Sequence, residues 1–128
     1  MAVPPRLRLF VLLIACCMFQ GCLGGRPLHE IDYQRYWCEK HHGELEHRLG
    51  DGARVDCLTG EYAVEVEYAH KWAEAIGQSL YYARMTGKKP GVVLIIRENG
   101  DQRFARRLRA VAQQQGIRVW TVRPRELE

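Results

Sequence analysis

The sequence carries no internal repeat and no low-complexity tract, which excludes a solenoid or a fibrous array. It has no Gly-rich Walker loop, so a phosphate cradle of that kind is excluded, and Gly24-Gly25 reads as part of a tether. No serine sits in a nucleophile elbow, which removes hydrolases of that type. His29, His41, His42, His47 and His70 show none of the spacings with cysteine that a tetrahedral zinc site needs. Charge of one sign is also in short supply: 19 Lys+Arg face 15 Asp+Glu, and a net +4 by itself implies little about nucleic acid. No apolar run reaches the roughly 20 residues that a membrane-crossing helix requires. What is present is one domain's worth of chain. Its 128 residues are 47% hydrophobic and 27% charged, a globular composition with apolar mass enough for a core.

The amino terminus stands apart. Arg6 and Arg8 precede an unbroken apolar run from Leu9 to Phe19, which meets Gln20-Gly21-Cys22. A charged start, a short apolar stretch and a small residue at the break describe a secretory signal over residues 1–21. The end of the run resembles a bacterial lipobox, with Gly21 and Cys22 matching and Phe19 and Gln20 fitting more loosely. That resemblance implies a lipid on Cys22; an ordinary signal peptide or an uncleaved anchor is the alternative. By the same sorting rules Leu23 implies a cell-envelope lipoprotein on the outer membrane, facing the periplasm. Residues 22–29 then form a tether and 30–128 a single domain. Loss of residues 1–21 leaves 17 basic against 15 acidic residues, a balance of +2, and removes Cys16 and Cys17. With Cys22 acylated, Cys38 and Cys57 remain as an even pair in an oxidising compartment. A disulfide between them is expected, two buried free thiols being the alternative.

Hydrophobic periodicity then orders the domain. Ile31, Tyr33, Tyr36 and Trp37 predict a helix over 30–42 that stops at Gly43. Three short strands follow, over 44–49, 53–58 and 62–68, separated by Gly50-Asp51-Gly52 and Thr59-Gly60 turns. In the third, Val64 and Val66 face one side and Glu65 and Glu67 the other. A helix over 70–85 carries an apolar stripe of Ala69, Trp72, Ala73, Ile76, Leu80 and Ala83. Val92 to Ile96, continuously apolar, predicts a strand over 91–97 that is buried on both faces. Asp101 is placed to cap a helix with Phe104, Leu108, Val111 and Ala112 at core spacing, ended by Gly116. A last strand spans 117–122. The order α-β-β-β-α-β-α-β predicts an α/β fold in which a meander feeds parallel crossovers.

The residues with chemical potential gather between 46 and 82. Glu46, Asp56 and Glu65 lie on three successive strands, so a meander sets them side by side. Carboxylates drawn together repel unless protonated or bridged by a cation, and hard oxygen donors select Mg²⁺, Mn²⁺ or Ca²⁺. Acids on a solvated strand face are the plain alternative. On the following helix Lys71, Glu74, Gln78 and Tyr82 step by three or four and predict one polar stripe.

The pattern Glu46, Arg54-Val55-Asp56, Glu65-Val66-Glu67, Lys71 and Gln78-x-x-x-Tyr82 resembles the PD-(D/E)xK nuclease superfamily, its RecB-type Q-x-x-x-Y branch in particular. The resemblance covers residues 31–122. It implies a restriction-endonuclease-like αβββαβ core with a further helix and strand, a mixed central sheet flanked by helices. It implies Mg²⁺ or Mn²⁺ held by Glu46, Asp56 and Glu65, with Lys71 stabilising charge at the phosphate, Gln78 positioning and Tyr82 in support. One position departs from the pattern. The third motif reads acid-x-Lys in the family, and this chain has Glu67 where that lysine belongs, with Lys71 one helical turn later as its substitute.

The implied activity is metal-dependent hydrolysis of a phosphodiester, a nuclease acting on nucleic acid (DNA more than RNA) outside the cytoplasm. Arg103, Arg106, Arg107 and Arg109 on the last helix and Lys88-Lys89 in a loop are the candidate phosphate contacts, solvated surface charge being the alternative. Two other classes stay open. One is a nuclease-like module, catalytically weak or inactive, that binds a polyanion or a protein partner. The other is a structural envelope lipoprotein with incidental acids.

Overall fold

The computed structural model describes residues 25–128, so the expected signal segment and Cys22 lie outside the described residues. Helix α1 spans Glu30–Lys40. Its entry is fixed by Asp32, whose carboxylate accepts the His29 backbone N–H at 2.8 Å and pairs with the Arg26 guanidinium. The helix stops two residues before the predicted end because His42 adopts a left-handed φ of 54°. Gly43 then returns its N–H to the Cys38 carbonyl at 2.9 Å, which closes the helix terminus.

Strands β1 (Glu44–Arg48), β2 (Arg54–Leu58) and β3 (Tyr62–Tyr68) form the antiparallel meander. Helix α2 (Trp72–Thr86), strand β4 (Lys89–Ile95), helix α3 (Gln102–Gln115) and strand β5 (Arg118–Val122) follow. The two crossovers make β3, β4 and β5 parallel, and the five strands stand in the sheet in sequence order. The chain is thus an α/β domain with one open, mixed, five-stranded sheet and three helices.

Alternation along the strands divides the core in two. Val64, Val66, Val93, Ile95 and Val122 meet Tyr33 and Trp37 of α1 on one face. Val92, Leu94 and Ile96 meet Ala75 of α2 and Ala105, Leu108 and Ala112 of α3 on the other. The predicted two-faced burial of 92–96 holds at every one of those positions. Helix α2 is rolled relative to its expected stripe. Ala75, Ser79 and Tyr82 are buried whereas Ala73 is exposed, because small side chains at 75 and 79 let the helix approach the sheet closely. That roll carries Tyr82 inward, away from the exposed Lys71 and Glu74.

Cys38 on α1 and Cys57 on β2 form the expected disulfide, with Cα atoms 5.6 Å apart. The bridge passes directly over Gly43. A Cβ there would lie 2.3 Å from Cys57 Sγ and 2.8 Å from Cys38 Sγ, so only glycine fits.

Candidate active site

Strands β2 and β3 part company partway along. Their ladder comprises Cys57↔Val64 and Leu58↔Ala63, and beyond it the Val66 N–H is taken by Asp56 Oδ2 at 2.8 Å. A side chain replaces a strand partner, and the gap it props open continues into a cleft of about 780 Å³. Glu30 and Gln34 of α1, Glu46, Asp56, Glu65, Glu67 and Tyr68 of the sheet, and Gln78 and Tyr82 of α2 line it.

Glu65 and Glu67 project from β3 on the side opposite Val66, as the alternation predicts, yet neither is solvated: they are 4% and 5% exposed. Glu65 Oε2 has no hydrogen-bond partner. A buried carboxyl oxygen left so costs free energy unless it is protonated or meets a cation. Burial first, then the charge of Asp56 and a hydrogen bond with it, pushes Glu65 up to about 10. Burial likewise raises Asp56 to about 6, against the opposing Val66 N–H bond. The two carboxyl groups hold a proton between them at neutral pH.

A second acid pair adjoins the first. Glu30, the first residue of α1, shares a hydrogen bond with Glu67 and is raised to about 7 by burial, by that bond and by the Glu67 and Asp56 charges. Glu67 Oε1 accepts the Tyr68 N–H at 2.9 Å, and its Oε2 lies 3.6 Å from Lys71 Nζ. The Lys71 ammonium is raised chiefly by that carboxylate. Lys71 therefore does reach the space beside Glu67, although it stands behind that residue and outside the cleft lining.

Of the sequence-predicted set, Asp56, Glu65, Glu67, Gln78 and Tyr82 converge on the cleft. Gln78 Nε2 approaches the Tyr82 hydroxyl at 3.5 Å, and burial with the nearby Glu65 raises Tyr82 to about 12. Glu46 lines the cleft from its rim. It faces Asp56 across the β1–β2 ladder in a left-handed conformation, φ 52°, and its carboxylate pairs with Arg54 at 3.4 Å. Arg103 and Arg107 of α3 flank the Phe104 ring at 4.6 and 5.7 Å, away from the cleft lining, with Arg106 on the same exposed helix. Lys88 and Lys89 sit at the opposite end of β3 from Glu67, bonded to the Gly60 carbonyl and the Glu61 carboxylate, each at 2.8 Å.

Two residues of the site are invisible to strand-by-strand reading. Glu30 looks like an ordinary first-turn acid favoured by the helix dipole. Gln34, one turn on, donates to Glu30 Oε1 at 3.4 Å, and its own amide oxygen is buried and unpartnered. The available signal was a polar residue set among Tyr33, Trp37 and Cys38, the buried face of α1.

Among the described residues no three His, Cys, Asp or Glu side chains are already arranged to hold a metal ion. The donors nevertheless suit a hard divalent cation. They are all carboxyl oxygens, one is orphaned, and burial raises both Asp56 and Glu65 above ordinary carboxyl values. Comparison of the chain with protein-family models, with curated proteins and with solved structures returns no match.

Proposed function

We propose that this chain is a metal-dependent phosphodiester hydrolase of the PD-(D/E)xK nuclease type, cutting nucleic acid, DNA in preference to RNA, outside the cytoplasm from a lipid anchor on Cys22. The observation that carries the reading is the unpartnered, buried Oε2 of Glu65, set against Asp56 and Glu67 in an open cleft. Asp56 and Glu65 are the residues to hold Mg²⁺ or Mn²⁺, with Glu46 completing the oxygen set. The cation supplies charge neutralisation at the phosphate and a water of lowered pKa.

The chain's own groups supply the rest. The Val66 N–H fixes the Asp56 carboxylate in place, so the site is oriented before a substrate arrives. Lys71, steered by Glu67, offsets charge that develops on the phosphate oxygens. Glu30, near 7, is poised to hand a proton to the leaving oxygen. Gln78 and Tyr82 wall the cleft and orient what enters it.

Titration with Mg²⁺ and Mn²⁺ by calorimetry, followed by nicking of plasmid DNA, tests the reading. Metal-dependent nicking that is lost in Asp56→Asn is the expected result, and wild type that neither binds metal nor cuts overturns it.

Glu67 favours a second reading. With a carboxylate in the family's lysine position, a module that binds metal and polyanion without turning over fits the same cleft. Metal binding without cutting would select it.

A further inference from the structure

At the carboxyl ends of β4 and β5 lies a second concavity, of about 240 Å³, lined by Ile96, Arg97, Arg123, Pro124, Arg125 and Glu128. The two strands are held together to their last residues, since Ile96 N–H bonds the Val122 carbonyl at 2.9 Å. Arg97 and Arg123 therefore leave the sheet side by side. The turn Pro124–Glu126 then folds Arg125 back, tied by Glu126, whose carboxylate accepts the Arg123 N–H at 2.8 Å. None of the three guanidinium groups forms an ion pair among the described residues, and Glu128 contributes the one acid of the lining without pairing to any of them. Three unneutralised guanidinium groups around one hollow attract a phosphate, which they meet with forked donors.

One contact links the lining of the hollow to that of the acidic cleft. The Arg97 guanidinium lies 4.8 Å from the centre of the Tyr68 ring, and Tyr68 is a wall of that cleft. From β3 to β5 is two strand spacings, about 10 Å. A nucleic-acid strand carries one charge per nucleotide, so a single strand of several nucleotides is long enough to reach from one site to the other.

We infer that the Arg97–Arg123–Arg125 pocket binds a backbone phosphate of the strand whose scissile phosphodiester lies in the acidic cleft, with Tyr68 between them. The identity of the strand rests on the nuclease reading of the cleft; the anion site rests on the arginines alone. It places the substrate track at the carboxyl end of the sheet, across β3 to β5, and not along α3 or the Lys88-Lys89 loop.

The test uses the full chain in detergent and fluorescence anisotropy with labelled single-stranded DNA of two and eight nucleotides, in Ca²⁺ at low salt. Arg123→Glu and the pair Arg97→Ala/Arg125→Ala should weaken binding of the eight-mer about tenfold or more. They should flatten the logarithmic salt dependence by about 0.7 for each phosphate that is no longer neutralised, and leave the two-mer and the Mg²⁺ affinity unchanged. Arg84→Glu, on the exposed outer side of α2, should match wild type. Thermal melts equal to wild type exclude misfolding as the cause. Wild-type affinity for the eight-mer in both pocket variants overturns the inference, as does an eight-mer that wild type fails to bind or a response confined to phosphatidylglycerol vesicles. Weakened eight-mer binding in a protein that neither binds Mg²⁺ nor cuts sinks the nuclease reading and keeps the pocket.

Discussion

Asp56 holds the backbone N–H of Val66 with one carboxylate oxygen while its carboxyl group shares a hydrogen bond with Glu65. One short side chain thus spaces two strands and pairs with a second acid. Asp56→Asn keeps an oxygen for Val66 and removes a charge that burial, Glu67 and Glu46 oppose. The variant is expected to fold and to be at least as stable as wild type without metal. Its affinity for Mg²⁺ and Mn²⁺ should fall at least tenfold in calorimetry, and plasmid nicking should cease.

Lys71→Ala separates coordination from chemistry. Metal affinity should hold, because Lys71 stands behind Glu67 and outside the cleft lining. Turnover of plasmid DNA should fall by roughly 10²-fold, the usual cost of one electrostatic donor at a transition state. If wild type binds metal without cutting, Glu67→Lys is the substitution that should restore activity.

The pH dependence of the metal-free protein has a definite sign. Asp56, Glu30 and Glu65 are raised to about 6, 7 and 10, above ordinary carboxyl values. The native state therefore binds more protons than the unfolded chain, and these groups lend stability at low pH that drains away as pH rises through the folded values. Thermal unfolding in chelator should show a melting temperature that declines from pH 5 to pH 8. Saturating Mg²⁺ should reverse the decline, and Asp56→Asn should flatten its acidic part. A flat profile would mean that the acids are solvated.

The bridge between Cys38 and Cys57 closes a 19-residue separation, a constraint worth roughly 3 kcal/mol against the unfolded chain. Both thiols should resist alkylation in unfolded protein until a reductant is added. Gly43→Ala pushes a methyl group onto both sulfurs and should cost about 1–3 kcal/mol in denaturant unfolding, the range for overpacking.

For the anchor, Cys22→Ser should release the protein into the soluble fraction or trap it as precursor in cell fractionation. An unchanged, fully processed membrane form would place the anchor elsewhere.

Much of the fold was legible because its signals are local. The continuous run Val92–Ile96, the alternation in 62–68 and the glycines after each helix mark their elements without reference to the rest of the chain. The site was legible as far as it lies on consecutive strands, which is why Asp56 and Glu65 could be paired. Glu30 could not be reached this way, because it meets Glu67 only through the packing of α1 across the sheet. The same limit applies to Arg97, Arg123 and Arg125. Their neighbourhood comes from the parallel register Ile95↔Val122 and from the turn after it, and a helix studded with Arg103, Arg106 and Arg107 is the louder signal in the sequence.

The strands stand in the sheet in the order in which they occur in the chain. No strand has to wait for a later one to be inserted between it and its neighbour, so the sheet is assembled by accretion. A chain emerging amino terminus first can close the β1–β2 hairpin, add β3 and then lay down β4 and β5, each on an edge already made. The growing edge is always the carboxyl-proximal strand. The edge left exposed from the outset is β1, which carries Glu44, Glu46 and Arg48 on a five-residue strand, short and charged enough to discourage pairing with another copy.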